Sequence, residues 1–325
     1  MIHPIPPGTR DVLPDEMREL RKLKAALIEV FEARGYGEVA TPAIEYDEVM
    51  SRADGPTRSS YRFFDESGEL LTLRSDMTVP IARLVATRFA AGEPPFRFSY
   101  LANGYRPVRP QRGQMREFVQ AGVELIGASA EDGAVEVIEV LEEALDAAGL
   151  GRAVIGLGDA DLYRQLLEEL GVEGEARDSI LASLATHDLV ALEQKLLDAG
   201  IGDEQAKTCA RLTQLRGGRE VLDEARGLGG AAVERATTSL SQTYDELQRR
   251  GAADRVQIDL GLLRDLDYYS GAILEVYDPA LGYVLGGGGR YDGLMKQFGL
   301  DLSAAGFALY LDRVHTAQLE EARRG

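Results

Sequence analysis

The sequence predicts a mixed α+β fold built on an antiparallel sheet that is flanked by helices. Strand-like runs are separated by polar hairpin loops, which is typical of antiparallel pairing. The helical segments are clustered, whereas a doubly wound parallel sheet needs regular alternation of strand and helix. An α+β architecture therefore explains the order of the segments better than a parallel one.

Most of the predicted strands lie in the first half of the chain. Apolar residues spaced by three or four indicate helices, and runs rich in aromatic and β-branched residues next to turn residues indicate strands. Proline stops two of these runs, at Pro42 and at Pro94-Pro95. The predicted elements in order are a helix over 15–34, a strand over 38–41, a hairpin over 60–73, a helix over 78–90, strands over 96–105 and 116–126, and a helix over 131–148.

The composition changes after residue 155. Nearly everything from 162 to about 250 has helical period, and this predicts a helical insertion in a sheet-containing domain. Strand-like runs return at 256–260, 272–277 and 282–285, and an apolar stretch over 304–314 runs into a charged tail. We therefore expect three segments: a first core part over 1–160, the helical insertion over 161–252 and a second core part over 253–325.

Composition and charge exclude several classes of protein. The 325 residues carry 36 basic and 54 acidic side chains, and a net charge of −18 disfavours a nucleic-acid partner because it repels phosphate. No apolar run approaches the roughly 20 residues that cross a bilayer, so no membrane partner is expected. A single cysteine, Cys209, and the lack of an export signal predict a cytoplasmic protein. The three histidines are far apart in sequence, so we expect no metal site and no cofactor.

The segment 106–124 is the first candidate for a binding site. Side chains alternate along a strand, so Phe118, Gln120 and Glu124 share one face, where two polar groups suit the floor of a pocket better than a core. Arg106, on the partner strand, could place a guanidinium group above that floor and hold an anion. On spacing alone, a solvated hairpin with scattered arginines explains the segment equally well.

Two further clusters lie near the C-terminal end. Residues 264–271 combine an arginine, two carboxylates and two tyrosines, a combination that suits a polar ligand but also a charged loop with buried tyrosines. Residues 286–289 are four glycines, which allow close approach of a backbone or a ligand. The glycine run lacks the lysine and the serine or threonine of a phosphate-binding loop.

Taken together and in this order, six segments resemble the class II histidyl-tRNA synthetase family over nearly the whole chain. Pro42 matches the first class motif, Arg106 the second and Arg313 the third. The six segments are Gly8-Thr-Arg-Asp11, Leu73-Arg-Ser-Asp-Met-Thr78, Arg116-Glu-Phe-Val-Gln120, Arg264-Asp-Leu-Asp-Tyr-Tyr269, Gly288-Gly-Arg-Tyr-Asp-Gly293 and Gly306-Phe-Ala-Leu-Tyr-Leu-Asp-Arg313.

The resemblance implies a class II synthetase-like catalytic core, dimeric through the first-motif region, and a pocket for histidine. Carboxylates for a cation, arginines for an anion and aromatic rings between them suit a zwitterionic amino acid with a ring. The implied roles are contact with the α-amino group for Asp76 and Thr78, the pocket floor for Gln120 and Glu124, the imidazole side for Tyr268, Tyr269 and Tyr291, and the histidine carboxylate and the ATP α-phosphate for Arg106 and Arg264.

The departures from the family pattern lie on the nucleotide side. Val108 stands where the second motif has a glutamate, Gln114 replaces an arginine that would meet the ATP phosphates, and Asp265 replaces a glycine. Together with Arg313 these positions form a degraded nucleotide side, so we expect a pocket that binds histidine but handles ATP poorly. Residues 314–325 are all that follow Arg313, and we expect no anticodon-binding domain.

A histidine pocket without a domain that reads tRNA resembles the regulatory subunits of ATP phosphoribosyltransferase. This resemblance implies no catalytic residue, a homodimer within a hetero-oligomer, and no tRNA partner. The implied partners are the short-form catalytic subunit, which performs the first step of histidine biosynthesis, and L-histidine as feedback inhibitor. Two alternatives stay open: a truncated synthetase paralogue that adenylates an amino acid, and a scaffold whose pocket is a relic.

Overall fold

The computed structural model describes residues 5–54, 60–108, 115–186, 188–263, 268–279 and 281–324. The chain divides into two compact units, Met1–Ala153 with Val276–Gly325, and Val154–Glu275. None of the helices in the described ranges is long and apolar enough to cross a membrane.

The elements follow the chain in this order. The first half contains α1 Pro14–Ala33, β1 Gly37–Glu38, β2 Ile44–Tyr46, α2 Asp47–Asp54, β3 Arg62–Phe64, β4 Leu70–Leu73, α3 Thr78–Arg88, β5 Phe96–Tyr105, β6 Glu117–Ile126, α4 Ala130–Ala147 and β7 Val154–Asp159. The second half contains α5 Leu162–Glu169, α6 Gly174–Ala185, α7 Leu189–Asp198, α8 Asp203–Leu212, β8 Arg216–Gly217, α9 Glu220–Leu228, α10 Ala231–Arg250, β9 Val256–Asp259, β10 Ala272–Tyr277, β11 Val284–Arg290, α11 Asp292–Gln297, β12 Ala304–Tyr310 and α12 Leu311–Arg324.

The sheet of the first unit is mainly antiparallel, as predicted. Strand β6 is central: β5 pairs with it from Phe96↔Ile126 to Tyr105↔Glu117, and β12 pairs with its other edge. Strand β11 continues the sheet beyond β12, and β1 joins β5 in parallel. The α+β prediction is confirmed, with the addition that the sheet is mixed. A second, three-stranded antiparallel sheet has the order β2-β4-β3.

The core of the first unit lies between this sheet and its helices. Helix α1 buries Leu20, Leu23, Leu27 and Phe31, which recur every three or four residues and therefore form one stripe. The ring of Phe31 meets Phe307 of β12 edge-on, with centroids 5.9 Å apart. Each such buried side chain contributes about 1.5–3 kcal/mol. This packing holds β12 and β6 in place as a rigid base.

The second unit contains the predicted helices. Helices α5 to α10 cover the span for which helical period was predicted, and α10 packs against α5 and α9. Strands β7 and β9 pair in parallel, and β8 pairs antiparallel with β9. The interpretation of 161–252 as an insertion in a synthetase core, with the boundaries given above, stays a prediction.

One sequence prediction near the C-terminal end was wrong in detail. The strand predicted over 282–285 lies over Val284–Arg290, because the glycines pair closely with β12 instead of ending the strand. The apolar stretch over 304–314, for which no element was predicted, comprises strand β12 to Tyr310 and the start of α12, and the charged tail continues that helix. Its buried positions, Leu311, Val314 and Ala317, recur every three residues and explain the helix.

Candidate functional site

Strand β6 provides the floor of the candidate site. The side chains of Gln120 and Glu124 are 3% and 1% exposed, and alternation along the strand places both on one face. Gln120 lies opposite Tyr310 of β12, and Glu124 lies opposite Gly306. The floor is therefore a pair of buried polar groups beside a residue without a side chain.

Glu124 is a buried carboxyl group held by hydroxyl groups. The hydroxyl of Thr78 donates to Oε1 at 2.8 Å, and the hydroxyl of Tyr291 donates to Oε2 at 2.5 Å. Burial raises the pKa of Glu124 to about 8; the hydrogen bonds from Tyr291 and Thr78 oppose this shift, and the nearby charge of Asp76 adds to it. A cation that binds beside Glu124 would stabilise the charged form of this buried carboxyl group.

Gln120 adds an acceptor whose hydrogen bond is unmade. Its Oε1 atom is buried and has no hydrogen-bond partner among the residues that the structure describes. A buried amide oxygen without a donor costs about 1–3 kcal/mol. A ligand with an N–H group would satisfy it, and Gln120 and Glu124 place two acceptors on the same face of β6.

The segment that precedes α3 fixes the positions of Asp76 and Thr78. Asp76 accepts hydrogen bonds from the Ser75 hydroxyl at 3.0 Å and from the Val79 N–H at 3.3 Å, so its carboxylate is tied to the first turn of the helix. Thr78 thereby reaches Glu124, and contact of Asp76 and Thr78 with an α-amino group stays a prediction.

Arg74 supports that segment from below, a role that the sequence analysis did not recognise. Its guanidinium group is buried and donates to the carbonyls of Thr41 at 2.6 Å, Pro42 at 3.2 Å and Asn103 at 2.8 Å. Burial lowers its pKa. Arg74 therefore joins the end of the first-motif region to β5, immediately before the site residue Asp76.

The other end of the floor contains two arginines, Arg106 and Arg313, and an aromatic pair, Phe118 and Tyr310. Arg106 donates from Nε to the Ser75 carbonyl at 3.1 Å and from Nη1 to the Tyr310 hydroxyl at 3.0 Å. Arg313 donates to the Val284 carbonyl at 2.5 Å and lies over the Tyr310 ring. Burial, and secondarily the charge of Arg106, lower the pKa of Arg313. Tyr310 is thus a site residue that the sequence analysis missed.

Val108 occupies its expected place without offering a carboxylate. Its N–H donates to the Arg106 carbonyl at 2.8 Å, and its own carbonyl accepts a hydrogen bond from Arg116 at 3.2 Å. The segment therefore makes a tight turn after Arg106. The other replacements that are predicted to weaken nucleotide binding, Gln114 and Asp265, lie outside the described residues.

The predicted tyrosines are divided between the two units. Tyr291 belongs to the first unit and contacts Glu124 directly. Tyr268 and Tyr269 belong to the second unit, where their ring centroids lie 4.8 Å apart and the Tyr269 carbonyl accepts from Arg164 at 3.5 Å. Arg264 is outside the described residues. Ligand contacts of Tyr268, Tyr269 and Arg264 stay predictions.

The first unit thus gathers acceptors for a cation and arginines for an anion on one floor. The acidic end is formed by Asp76, Thr78, Glu124 and Tyr291. Gln120 lies on the same strand face, opposite Tyr310. No group of three or more side chains suited to a metal ion occurs within the described ranges.

The chain is similar to a known protein family and to named relatives over most of its length. A profile of the family described as Histidyl-tRNA synthetase matches residues 8–314. The ATP phosphoribosyltransferase regulatory subunit of Moorella thermoacetica is 42% identical over 321 residues, which cover 98% of this chain and 82% of that protein.

Two solved structures are similar over nearly the whole chain. An ATP phosphoribosyltransferase regulatory subunit/histidyl-tRNA synthetase from Bacillus halodurans has a TM-score of 0.87 and 32% identity, covering 98% of this chain and 83% of that one. A histidine–tRNA ligase subunit from Alicyclobacillus acidocaldarius has a TM-score of 0.86 and 32% identity, covering 100% of this chain and 99% of that one.

Proposed function

Because the chain belongs to the ATP phosphoribosyltransferase regulatory subunit family, within the histidyl-tRNA synthetase family, we propose that it is a non-catalytic subunit of that enzyme. It binds L-histidine on the floor formed by Gln120 and Glu124. It assembles as a homodimer with the short-form catalytic subunit, has no role with tRNA, and passes on feedback inhibition by histidine.

The observation that carries this proposal is the buried Glu124 carboxyl group. Its hydrogen bonds come from neutral hydroxyls, those of Thr78, Tyr291 and Tyr100, and no cation is among these donors, so burial of its charged form is incompletely compensated. The ammonium or imidazole of histidine supplies donors that fit it, and the Oε1 atom of Gln120 accepts a further N–H. Hydrogen bonds to a charged group contribute about 1.5–3 kcal/mol each.

Feedback requires that histidine favour one state of the assembled enzyme over another. In thermodynamic terms this is a coupling free energy between the histidine site and the catalytic site, about 1–3 kcal/mol in typical allosteric proteins. Binding of a ligand at Glu124 and Gln120 supports such coupling, because Thr78 is the first residue of α3, Asp76 accepts a hydrogen bond from its first turn, and Tyr291 precedes α11. Ligand contacts on these helix starts would bias the positions of both helices.

The direct test mixes the chain with a short-form catalytic subunit. We expect co-elution in size-exclusion chromatography, phosphoribosyl transfer by the mixture well above that of either protein, and inhibition of the mixture by histidine. If the two proteins elute separately and transfer is no higher in the mixture, the regulatory proposal is wrong. Histidylation of tRNA by the chain would contradict the proposed lack of a tRNA role.

Amino-acid adenylation is the second candidate function. It is favoured by the retention of Arg106 and Arg313, two cations next to the floor. Histidine-dependent exchange of pyrophosphate into ATP distinguishes the two functions. Exchange above a control without amino acid would favour the enzyme, whereas histidine binding without exchange would favour the regulator.

A further inference from the structure

Tyr310 contacts both arginines at the nucleotide end of the floor. Its hydroxyl accepts a hydrogen bond from Arg106 at 3.0 Å, and the guanidinium of Arg313 lies 4.4 Å from its ring centroid. The ring of Phe118 meets it edge-on, with centroids 5.4 Å apart and planes at 74°. The Tyr310 side chain thus contacts cationic groups and an aromatic ring at the same time.

We propose that Tyr310 is a built-in plug that closes this subsite to nucleotides. A nucleotide needs a surface for its planar ring and cations for its phosphates, and here Phe118, Arg106 and Arg313 are the groups that provide both. Tyr310 uses the same three groups through its own ring and hydroxyl. The inference rests on the proposed function, because it explains how the pocket can keep its amino-acid end while its nucleotide end is closed.

The position of Tyr310 in the sheet makes the plug hard to displace. Tyr310 ends β12 and pairs directly with Gln120 of the floor, so its backbone is held by the sheet. The remaining members of this face of β12, Ala304, Gly306 and Ala308, are small, and Tyr310 is its one large side chain. A tethered ring competes with a free ligand at a high effective concentration and loses no translational freedom on docking.

The contacts of Arg313 show that Tyr310 covers a charged guanidinium group and does not only fill space. Arg313 is held by the Val284 carbonyl and also lies near a second ring, Tyr283, at 5.7 Å from its centroid. The contact to Tyr310 is the shorter of the two, and Tyr310 is also the ring whose hydroxyl bonds Arg106. Loss of the Tyr310 ring would expose both cations to the same ligand.

The experiment compares ATP binding by the full chain and by Tyr310→Ala in calorimetric titrations. We expect at least tenfold tighter ATP binding by the variant, and no comparable gain for adenosine, because two guanidinium groups recognise phosphate. Tyr310→Phe keeps the ring over Arg313 and should bind ATP like the unmodified chain. Tyr283→Ala is the matched control, since it removes an aromatic neighbour of Arg313 outside the plug and should show no gain.

Equal ATP binding by the unmodified chain and Tyr310→Ala would overturn the proposal, as would an equal gain in Tyr283→Ala. Thermal melting monitors folding, and Tyr310→Val, which suits a strand, replaces Tyr310→Ala if that variant is unstable. Histidine titration of the same proteins is scored separately. Absence of histidine binding by the unmodified chain would contradict the proposed function, while the ATP comparison would still decide the role of Tyr310.

Discussion

The carboxylate of Glu124 lies against the backbone of Gly306 on the neighbouring strand, in space that a side chain at 306 would fill. A Cβ atom built at 306 would stand 2.0 Å from Oε2 of Glu124 and 2.5 Å from the carbonyl oxygen of Val123. Real Cβ atoms do not approach so closely, so the glycine is required by the position of the carboxylate. Gly306 therefore acts as a positioning residue for the floor.

We accordingly expect Gly306→Ala to weaken histidine binding at least tenfold, because the methyl group displaces Glu124 from Thr78 and Tyr291. Gly286→Ala is the matched control: its Cβ would stand 2.3 Å from the Ala308 carbonyl in the neighbouring strand pair β11–β12, without touching Glu124. Calorimetric titration of both variants checks this. Equal loss of affinity in the two variants would mean that general strain in the sheet, and not displacement of Glu124, weakens histidine binding.

Glu124→Gln should weaken histidine binding by roughly ten- to a hundredfold. The amide keeps the shape but loses the charge, and about 1.4 kcal/mol corresponds to one decade of affinity. Glu117→Gln is the control on the same strand, since its side chain projects from the opposite face and bonds Asn103. Because coupling is reciprocal, inhibition of the assembled enzyme by histidine should weaken in parallel. Unchanged inhibition would place the feedback site elsewhere, most directly at the subunit contact.

Histidine binding should release a proton near neutral pH. Burial raises the pKa of Glu124 to about 8, so this carboxyl group is largely protonated at pH 7 when no ligand is bound. A bound cation favours the carboxylate and lowers this pKa, so affinity should rise as pH increases from about 6.5 to about 8 and then level off. Calorimetry in buffers of different ionisation enthalpy measures the proton. Release that persists undiminished in Glu124→Gln would exclude Glu124 as its source.

Arg74→Met should destabilise the fold by about 3–5 kcal/mol, because three backbone carbonyls lose a charged donor in a buried place. Histidine affinity should fall as well, since Arg74 precedes Asp76 and holds the segment that starts α3. Arg62→Met removes an arginine that is 37% exposed and pairs with Asp47, and serves as the control. Chemical denaturation of both proteins would show whether the losses differ by this amount.

The sequence was sufficient for the strands that build the floor. The alternation over 116–126 placed Gln120 and Glu124 on one face, and β5 and β6 lie within one residue of the expected bounds. The run of glycines was harder, because glycine has no side chain with which to show an alternating pattern. Strand β11 became visible only through its pairing with β12.

The contacts that give the site its chemistry were not predictable from local pattern. Thr78 and Tyr291 reach Glu124 from positions 46 and 167 residues away, so only the tertiary fold brings them together. Tyr310 read as one more apolar residue of a strand. A signal was nevertheless present: Tyr310 is the large member of a series along β12 whose other members, Ala304, Gly306 and Ala308, are small.

The central place of β6 in the sheet has a consequence for hydrogen exchange. Its backbone is paired on one side with β5 and on the other with β12, so amide protons beside Gln120 and Glu124 should exchange with deuterium only when the whole unit unfolds. The floor then keeps one shape on the time scale of ligand arrival and departure. Histidine should leave exchange in β6 unchanged. It should slow exchange in the first turn of α3, which begins with Thr78, and in the first turn of α11, which follows Tyr291, because both of these residues donate hydrogen bonds to Glu124.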